Sequence, residues 1–279
     1  MHSSKRLGTL FVVATPIGNL QDITLRALEV LRRVSVIACE DTRRTAKLLN
    51  HYRIEGKRLL SCHEHNEERR AREILRELEG GRDVALVSDA GTPCISDPGY
   101  KVVKSAREKG VKVVPIPGPS AVVTALSGAG FPSDRFYFAG FLPRKEQKLL
   151  STLKRLTAMD CTVVCYESPH RIERTLTALS AVSPGAEVAL YRELTKVNEE
   201  FLHGKVEDVL KELKSRGTVK GEIVLLIPPA TETPLDPTKL LKELKEKGYS
   251  LRSAVKEVQE VTGIPKSRLY RLALKLFGY

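Results

Sequence analysis

The chain has 279 residues, enough for one large or two ordinary domains. Hydrophobic residues make up 42% and charged residues 29%, which excludes disordered, collagen-like and fibrous architectures. The 46 Lys and Arg residues outnumber the 34 Asp and Glu residues for a net charge of +12, so an anionic partner is expected.

The apolar runs at 10–14, 34–39 and 223–227 stop well short of the roughly 20 residues of a bilayer span. Residues 1–8 lack the apolar stretch of a secretory leader, and a cytoplasmic protein without membrane association is expected. The cysteines, Cys39, Cys62, Cys94, Cys161 and Cys165, are odd in number and mostly lie in or beside apolar runs, the pattern of reduced core thiols. Cys62 with His63 and His65 lacks a second ligand pair at zinc spacing, so no metal site is expected.

Short β-branched runs alternate with longer amphipathic stretches over the first 230 residues, the mark of an α/β protein with crossover connections. The patterning predicts strands at 9–14, 34–39, 84–88, 111–116, 162–166, 188–192 and 222–227. Asp22 is placed to cap a helix through Ile23, Ala27, Leu28 and Leu31, and Asn66 to begin one carrying Ile74, Leu75 and Leu78. Further helices are predicted from Pro98-Gly99 to Gly110, over 120–130 and over 170–181. The Pro and Gly passage at 115–119 reads as a hinge between two α/β halves, 1–117 and 118–229. Four prolines in 228–237 read as a linker. The tail, 235–279, carries ten Lys or Arg against five Asp or Glu and patterns as three helices at 239–247, 251–261 and 266–277. A Gly turn before a basic helix with Lys266, Arg268 and Arg271 suits a helix-turn-helix meeting a phosphate backbone; a solvated appendage used for dimer packing fits the same residues.

In doubly wound sheets ligands collect beyond the carboxyl ends of the strands. Thr15-Pro16-Ile17-Gly18-Asn19-Leu20 follows the first strand, without the spaced glycines of a dinucleotide fold, and no Gly-Lys-Ser/Thr phosphate loop occurs. The stretch from Ser88 to Gly99, with Asp89, Ala90, Gly91, Thr92 and Asp97, is about twelve residues long where two to six is usual, which favours a binding role over a plain turn. Pro117-Gly118-Pro119-Ser120-Ala121 again sets small groups at a helix start. Three such loops predict a wide, backbone-lined cleft.

At these residues the sequence resembles the tetrapyrrole methylase family, and within it the branch that modifies ribosomal RNA. Further matching stretches are Glu40-Asp41-Thr42-Arg43, His63-Glu64-His65-Asn66-Glu67, Phe131-Pro132-Ser133-Asp134-Arg135-Phe136, Tyr166-Glu167-Ser168-Pro169-His170-Arg171, Arg192-Glu193-Leu194-Thr195-Lys196 and Lys220-Gly221-Glu222. Each alone is weak; in this order they are specific. The resemblance implies two α/β/α methylase domains with the cofactor S-adenosyl-L-methionine between them, plus a small all-helical C-terminal domain. It places Pro16, Asp89, Ala90, Gly91, Ser120, Ala121, Tyr166, Glu167, Leu190 and Gly221 at the cofactor, with Gly18 and Thr92 beside them. The family's usual Gly-Gly-Asp-Pro type loop is replaced here by Ser88-Asp89-Ala90-Gly91-Thr92-Pro93, as is typical of the ribosomal RNA branch. The resemblance also implies a homodimer acting on 16S rRNA in the 30S subunit, by 2′-O-methylation of a decoding-centre cytidine.

A ribose hydroxyl is scarcely ionised at neutral pH, so a positioned base is expected to take its proton. Glu167, His170 and Glu193, just past predicted strands, are the candidates. Glu167 and Glu193 read equally well as ion-pair partners of Arg171, Arg192 or Lys196, and His170 as a residue at a helix start. Arg43, Arg44, Arg171 and Lys196 are expected to hold RNA phosphates, although Arg43 and Arg44 also suit a solvated helix face with Lys47. Two other functions share these features: a methylase acting on carbon of a porphyrin or corrin precursor, and an RNA-binding assembly factor that keeps the pocket without turnover.

Overall fold

The computed structural model describes residues 6–217, 219–230 and 237–277. The chain divides into two compact units, Met1–Pro229 and Ala230–Tyr279. The first opens with β1 (Thr9–Val13), α1 (Leu25–Arg33), β2 (Val36–Cys39), α2 (Thr42–His51), β3 (Arg58–Ser61), α3 (Glu67–Glu79), β4 (Val84–Val87), α4 (Tyr100–Glu108) and β5 (Lys112–Ile116). These strands form one parallel sheet in the order β3-β2-β4-β1-β5. Every residue of β2 and β4 is buried, because α1 and α2 cover one face and α3 and α4 the other. That two-sided burial is why the interior strands are continuous apolar runs. The connection from β1 runs to β2 across one face while that from β4 runs to β5 across the other. A crevice therefore opens between the carboxyl ends of β1 and β4.

The rest of this unit contains α5 (Ala121–Gly128), β6 (Phe136–Phe141), α6 (Glu146–Thr157), β7 (Thr162–Glu167), α7 (Ile172–Val182), β8 (Glu187–Arg192), β9 (Glu200–Lys205), α8 (Val206–Ser215) and β10 (Ile223–Ile227). The second sheet is ordered β6-β7-β10-β8-β9; only β6 and β7 run parallel. Helices α6, α7 and α8 bury Leu153, Leu176 and Val209 against one face, and α5 packs Val122, Ala125 and Leu126 on the other.

Three strands escape the patterning, β3, β6 and β9, and all three are sheet edges. An edge strand buries less of each residue, so Arg58-Leu-Leu-Ser61 and Glu200-Phe-Leu-His-Gly-Lys205 read as polar, and Gly140 interrupts β6. The expected cap of α1 also moves. Asp22 ends a short 3₁₀ turn (Leu20–Asp22) capped by Asn19, and the α1 cap is Thr24, whose hydroxyl accepts the Ala27 N–H at 3.1 Å.

The second unit holds α9 (Pro237–Glu246), α10 (Leu251–Thr262) and α11 (Lys266–Phe277), within two residues of the predicted bounds. They enclose Leu241, Ala254, Val255, Val258, Leu269 and Ala273. Ser250 caps α10 by accepting the Ser253 N–H, and Gly263, at φ 67°, ends it in the left-handed region. The stretch expected to be a linker falls mostly on 231–236, outside the described residues, as do Leu235, Asp236, Gly278 and Tyr279 of the predicted tail. No helix among the described residues is long and apolar enough to cross a membrane.

Candidate active site

A cavity of about 320 Å³ opens where the loops after β1, β4 and β5 face β7, β10 and the loop after β8. Ile17, Ala90, Gly91, Thr92, Ile95, Ser96 and Asp97 line it from the first sheet's loops. Ser120 and Ala121 come from the start of α5, and Phe141, Tyr166, Glu167, Ser168, Pro169, Leu194 and residues 221–224 from the second sheet. Its size is that of a small-molecule site.

Hydrogen bonds fix these loops. Thr15 and Gly91 exchange both backbone bonds at 2.9 Å, and the Thr15 hydroxyl donates to the Ser88 carbonyl. Ser88 donates to the carbonyls of Ala90 and Gly91, and Thr92 to that of Pro119. The far end of the loop is held by Glu67, a buried carboxylate that accepts the N–H groups of Gly99 and Lys101 at 2.8 Å. This gives the His63-to-Glu67 motif a structural role: its acid caps α4.

Five non-glycine residues among those described have positive φ, and four of them, Cys94, Ser96, Glu193 and Thr195, lie in the two loops flanking the cavity. Such strain persists only where surrounding contacts over-determine it. Here the contacts are visible. The Asn19 N–H donates to the Thr195 hydroxyl at 3.1 Å, tying the loop after β1 to the loop after β8. Gly18 allows that approach, since a Cβ there would lie 2.4 Å from Cγ of Lys196. Gly221, at φ +99°, leaves room for Glu193, whose Cγ would lie 2.4 Å from an added Cβ.

The carboxylates around the cavity differ in kind. Glu167 is buried and engaged on both oxygens: Ser168 N–H and the Thr175 hydroxyl donate to it at 2.8 and 2.7 Å, and Arg171 lies 3.4 Å away. Burial works against Glu193, yet the Lys196 ammonium at 2.7 Å and the Glu222 N–H at 2.9 Å hold its carboxyl below the usual range. Asp97 goes the other way. Burial first, then the Glu40 and Asp89 carboxylates, push it up to about 6 against the pull of the Ser88 hydroxyl. Tyr166 is likewise pushed up to about 12, mainly by burial and then by Asp97 and Glu222. Its ring packs edge-on to Phe138 at 5.0 Å.

Of the residues expected at the cofactor, Ala90, Gly91, Thr92, Ser120, Ala121, Tyr166, Glu167 and Gly221 line the cavity. Pro16 and Gly18 stand beside it in the loop after β1. Asp89 faces away, accepting the Asp41 N–H at 2.9 Å with Arg44 3.5 Å off. Leu190 does not line it, because its side chain is wholly buried in the core under α6, α7 and α8. Among the candidate bases, His170 is exposed and outside the lining, and Glu193 is an ion-pair partner of Lys196. Arg171 turns inward, donating to the carbonyls of Leu142 and Pro143, and Lys196 is shared by Glu193 and Glu222; neither is free for phosphate. Arg43 is exposed but bidentate to Asp41. Lys266, Arg268 and Arg271 are exposed on α11.

Sequence reasoning passed over Asp97 as a site residue, although the pair of carboxylates in its long loop was the signal. It also passed over Ile17, Phe141, Leu194 and Glu222, which give the cavity apolar walls and a further negative charge. Small residues, apolar walls and the Asp97 carboxylate, which has no ion-pair partner among the described residues, together suit an organic ligand carrying positive charge.

The sequence profile described as Tetrapyrrole (Corrin/Porphyrin) Methylases matches residues 9–210. The chain belongs to the tetrapyrrole methylase family. This methylase is 45% identical over 279 residues to Ribosomal RNA small subunit methyltransferase I of Micromonospora olivasterospora, covering 97% of this chain and 89% of that protein. It is 44% identical over 277 residues to the protein of the same name from Escherichia coli O157:H7, covering 97% and 96%. Among solved structures the methylase resembles diphthine synthase, with a TM-score of 0.63 and 18% identity over 80% of this chain and 91% of that one. It also resembles uroporphyrin-III C-methyl transferase from Thermus thermophilus complexed with S-adenyl homocysteine, with a TM-score of 0.54 and 18% identity over 78% and 97%. At such identities the structural likeness speaks for the fold alone.

Proposed function

We propose that this methylase transfers a methyl group from S-adenosyl-L-methionine to the 2′-hydroxyl of a ribose in 16S ribosomal RNA, at a decoding-centre cytidine in the small subunit. The observation carrying this reading is the identity of 45% along nearly the whole chain with a ribosomal RNA small subunit methyltransferase I. On this reading 1–117 and 118–229 are the two methylase domains and 235–279 is an RNA-binding domain.

The cavity residues fit the donor. S-adenosyl-L-methionine, when bound, supplies an electrophilic methyl on a sulfonium, so the protein needs no covalent nucleophile. Asp97 provides negative charge for a cation, and Ile17, Leu194 and Val224 provide apolar walls. The first turn of α5 leaves N–H groups without intrahelical acceptors, and Ser120 makes no side-chain cap bond, so this end suits a carboxylate. The task of these residues is alignment, worth several orders of magnitude when the reacting atoms are held about 3 to 3.5 Å apart.

We assign the proton of the ribose hydroxyl to Asp97, the cavity carboxylate held near 6 and therefore ionised but basic at neutral pH. Glu167, engaged on both oxygens, is assigned a positioning role, orienting Ser168 and Arg171. Phosphates of the RNA fall to Arg43, Arg44, Lys266, Arg268 and Arg271. The exposed aromatic residues Phe136 and Tyr137 of edge strand β6, outside the cavity lining, favour a homodimer.

The test uses labelled donor and small-subunit particles lacking the modification. Label recovered on ribose supports the reading. Label only on a tetrapyrrole assigns the chain to carbon methylation, and binding without transfer assigns it to assembly.

A further inference from the structure

A second hollow, of about 620 Å³, lies against α3 and is lined by Arg58, Arg69, Arg72, Arg76, Glu73 and Glu77. Arg58 begins edge strand β3 and donates to Glu73 at 2.8 Å and to Glu77 at 2.9 Å, which fixes its guanidinium. The same two carboxylates also accept from Arg70 and Arg82. Glu68, one turn before Arg72, is bound to Lys101 at 2.7 Å. Arg69, Arg72 and Arg76 are exposed, and no carboxylate among the described residues lies within 4 Å of their guanidinium groups.

These three arginines recur at i, i+3 and i+7, so they share one face of α3. The rise of the helix spaces them by about 4.5 and 6 Å along its axis. A row of unpaired guanidinium groups matches the evenly repeated charge of a phosphodiester chain, and each planar fork can take two phosphate oxygens. No aromatic or apolar side chain lines the hollow. It thus lacks a platform for stacking bases, and it lacks the apolar anchor that a protein partner requires.

We propose that this α3 hollow binds backbone phosphates of the substrate RNA, away from the modified nucleotide; the proposal rests on the reading of the chain as an rRNA methylase. It gives α3 a sequence-independent docking role that adds to affinity without choosing the target base.

The experiment measures binding of the full-length protein to naked 16S rRNA and to small-subunit particles, from about 50 to about 200 mM salt. R69Q/R72Q/R76Q is expected to lower the slope of log affinity against log salt by about 2 and to weaken binding about 10- to 100-fold at the low-salt end. Donor affinity by calorimetry is expected to stay unchanged, which reports an intact fold. R69K/R72K/R76K is expected to retain most of the slope. Should the glutamine variant lose donor binding, the single R72E carries the test, with a slope smaller by about 1.

A slope and affinity equal to those of the parent protein overturn the proposal. So does a loss seen only with assembled particles, which points to docking on a ribosomal protein. If the parent methylates rRNA while the variant binds it equally well, the α3 site alone falls. If the parent neither binds nor methylates rRNA, the functional reading falls and takes this site with it.

Discussion

Asp97 and Asp89 sit eight residues apart in one loop and end in opposite situations. Asp89 accepts a backbone N–H beside Arg44, whereas Asp97 faces the cavity among other carboxylates. The residue types alone made both visible, but only the course of the loop, set by Thr15, Ser88 and Glu67, decides which one faces a ligand. With Asp97 as base, kcat/KM rises as pH passes about 6 and then levels, and Asp97→Asn removes the inflection and at least about 100-fold of kcat/KM. The same shift sets a stability signature. The folded value of about 6 exceeds the 3.8 of an ordinary aspartate, so the stability associated with the protonated acid is complete below about 4 and lost as pH rises through 6. Asp97→Asn therefore removes a decline in stability between those pH values, as read by urea unfolding. Gly221 makes a steric prediction: Gly221→Ala drives a methyl group into Glu193 at a positive φ, costs about 1 to 3 kcal/mol, and weakens donor binding in calorimetry.

At the level of elements, what periodicity reports is burial. The interior strands β1, β2, β4, β7, β8 and β10 were legible because burial makes their sequences apolar, whereas β3, β6 and β9 lie at edges where polar and aromatic residues are tolerated. The start of α1 is not decided by residue type, because Asn19, Asp22 and Thr24 are all good caps within six residues and only the hydrogen bonds of the folded chain select Thr24. Thr24→Ala should lower unfolding stability by about 1 kcal/mol. Helix α11 was legible from its Gly-Ile-Pro break and its basic opening. K266Q/R268Q/R271Q should reduce the salt dependence of RNA binding by about 2 to 3 in slope while leaving donor affinity unchanged.

At the scale of the molecule, the two units make separate predictions. A chain ending at Pro229 should still unfold cooperatively and bind the donor, because the cavity draws every lining residue from 17–224. It should bind RNA more weakly, with the largest difference at low salt. The alternation of strands and helices made an α/β organisation of the first unit foreseeable, but not the mostly antiparallel second sheet, whose β6 and β9 escape the patterning. The meeting of the two sheets around a cleft came only from the family resemblance, since the residues themselves show it through bonds as distant as that between Asn19 and Thr195. The loop after β1 is tethered on both sides, by Thr15 to Gly91 and by Asn19 to Thr195, with three residues between the two anchors. Its length is thereby locked: a single inserted codon between those anchors must break one tether or the other. In a library of random insertions selected for methyl transfer, this segment should be bare of survivors, while the turn at Gly56, where a Cβ would meet nothing within 4 Å, should accumulate them.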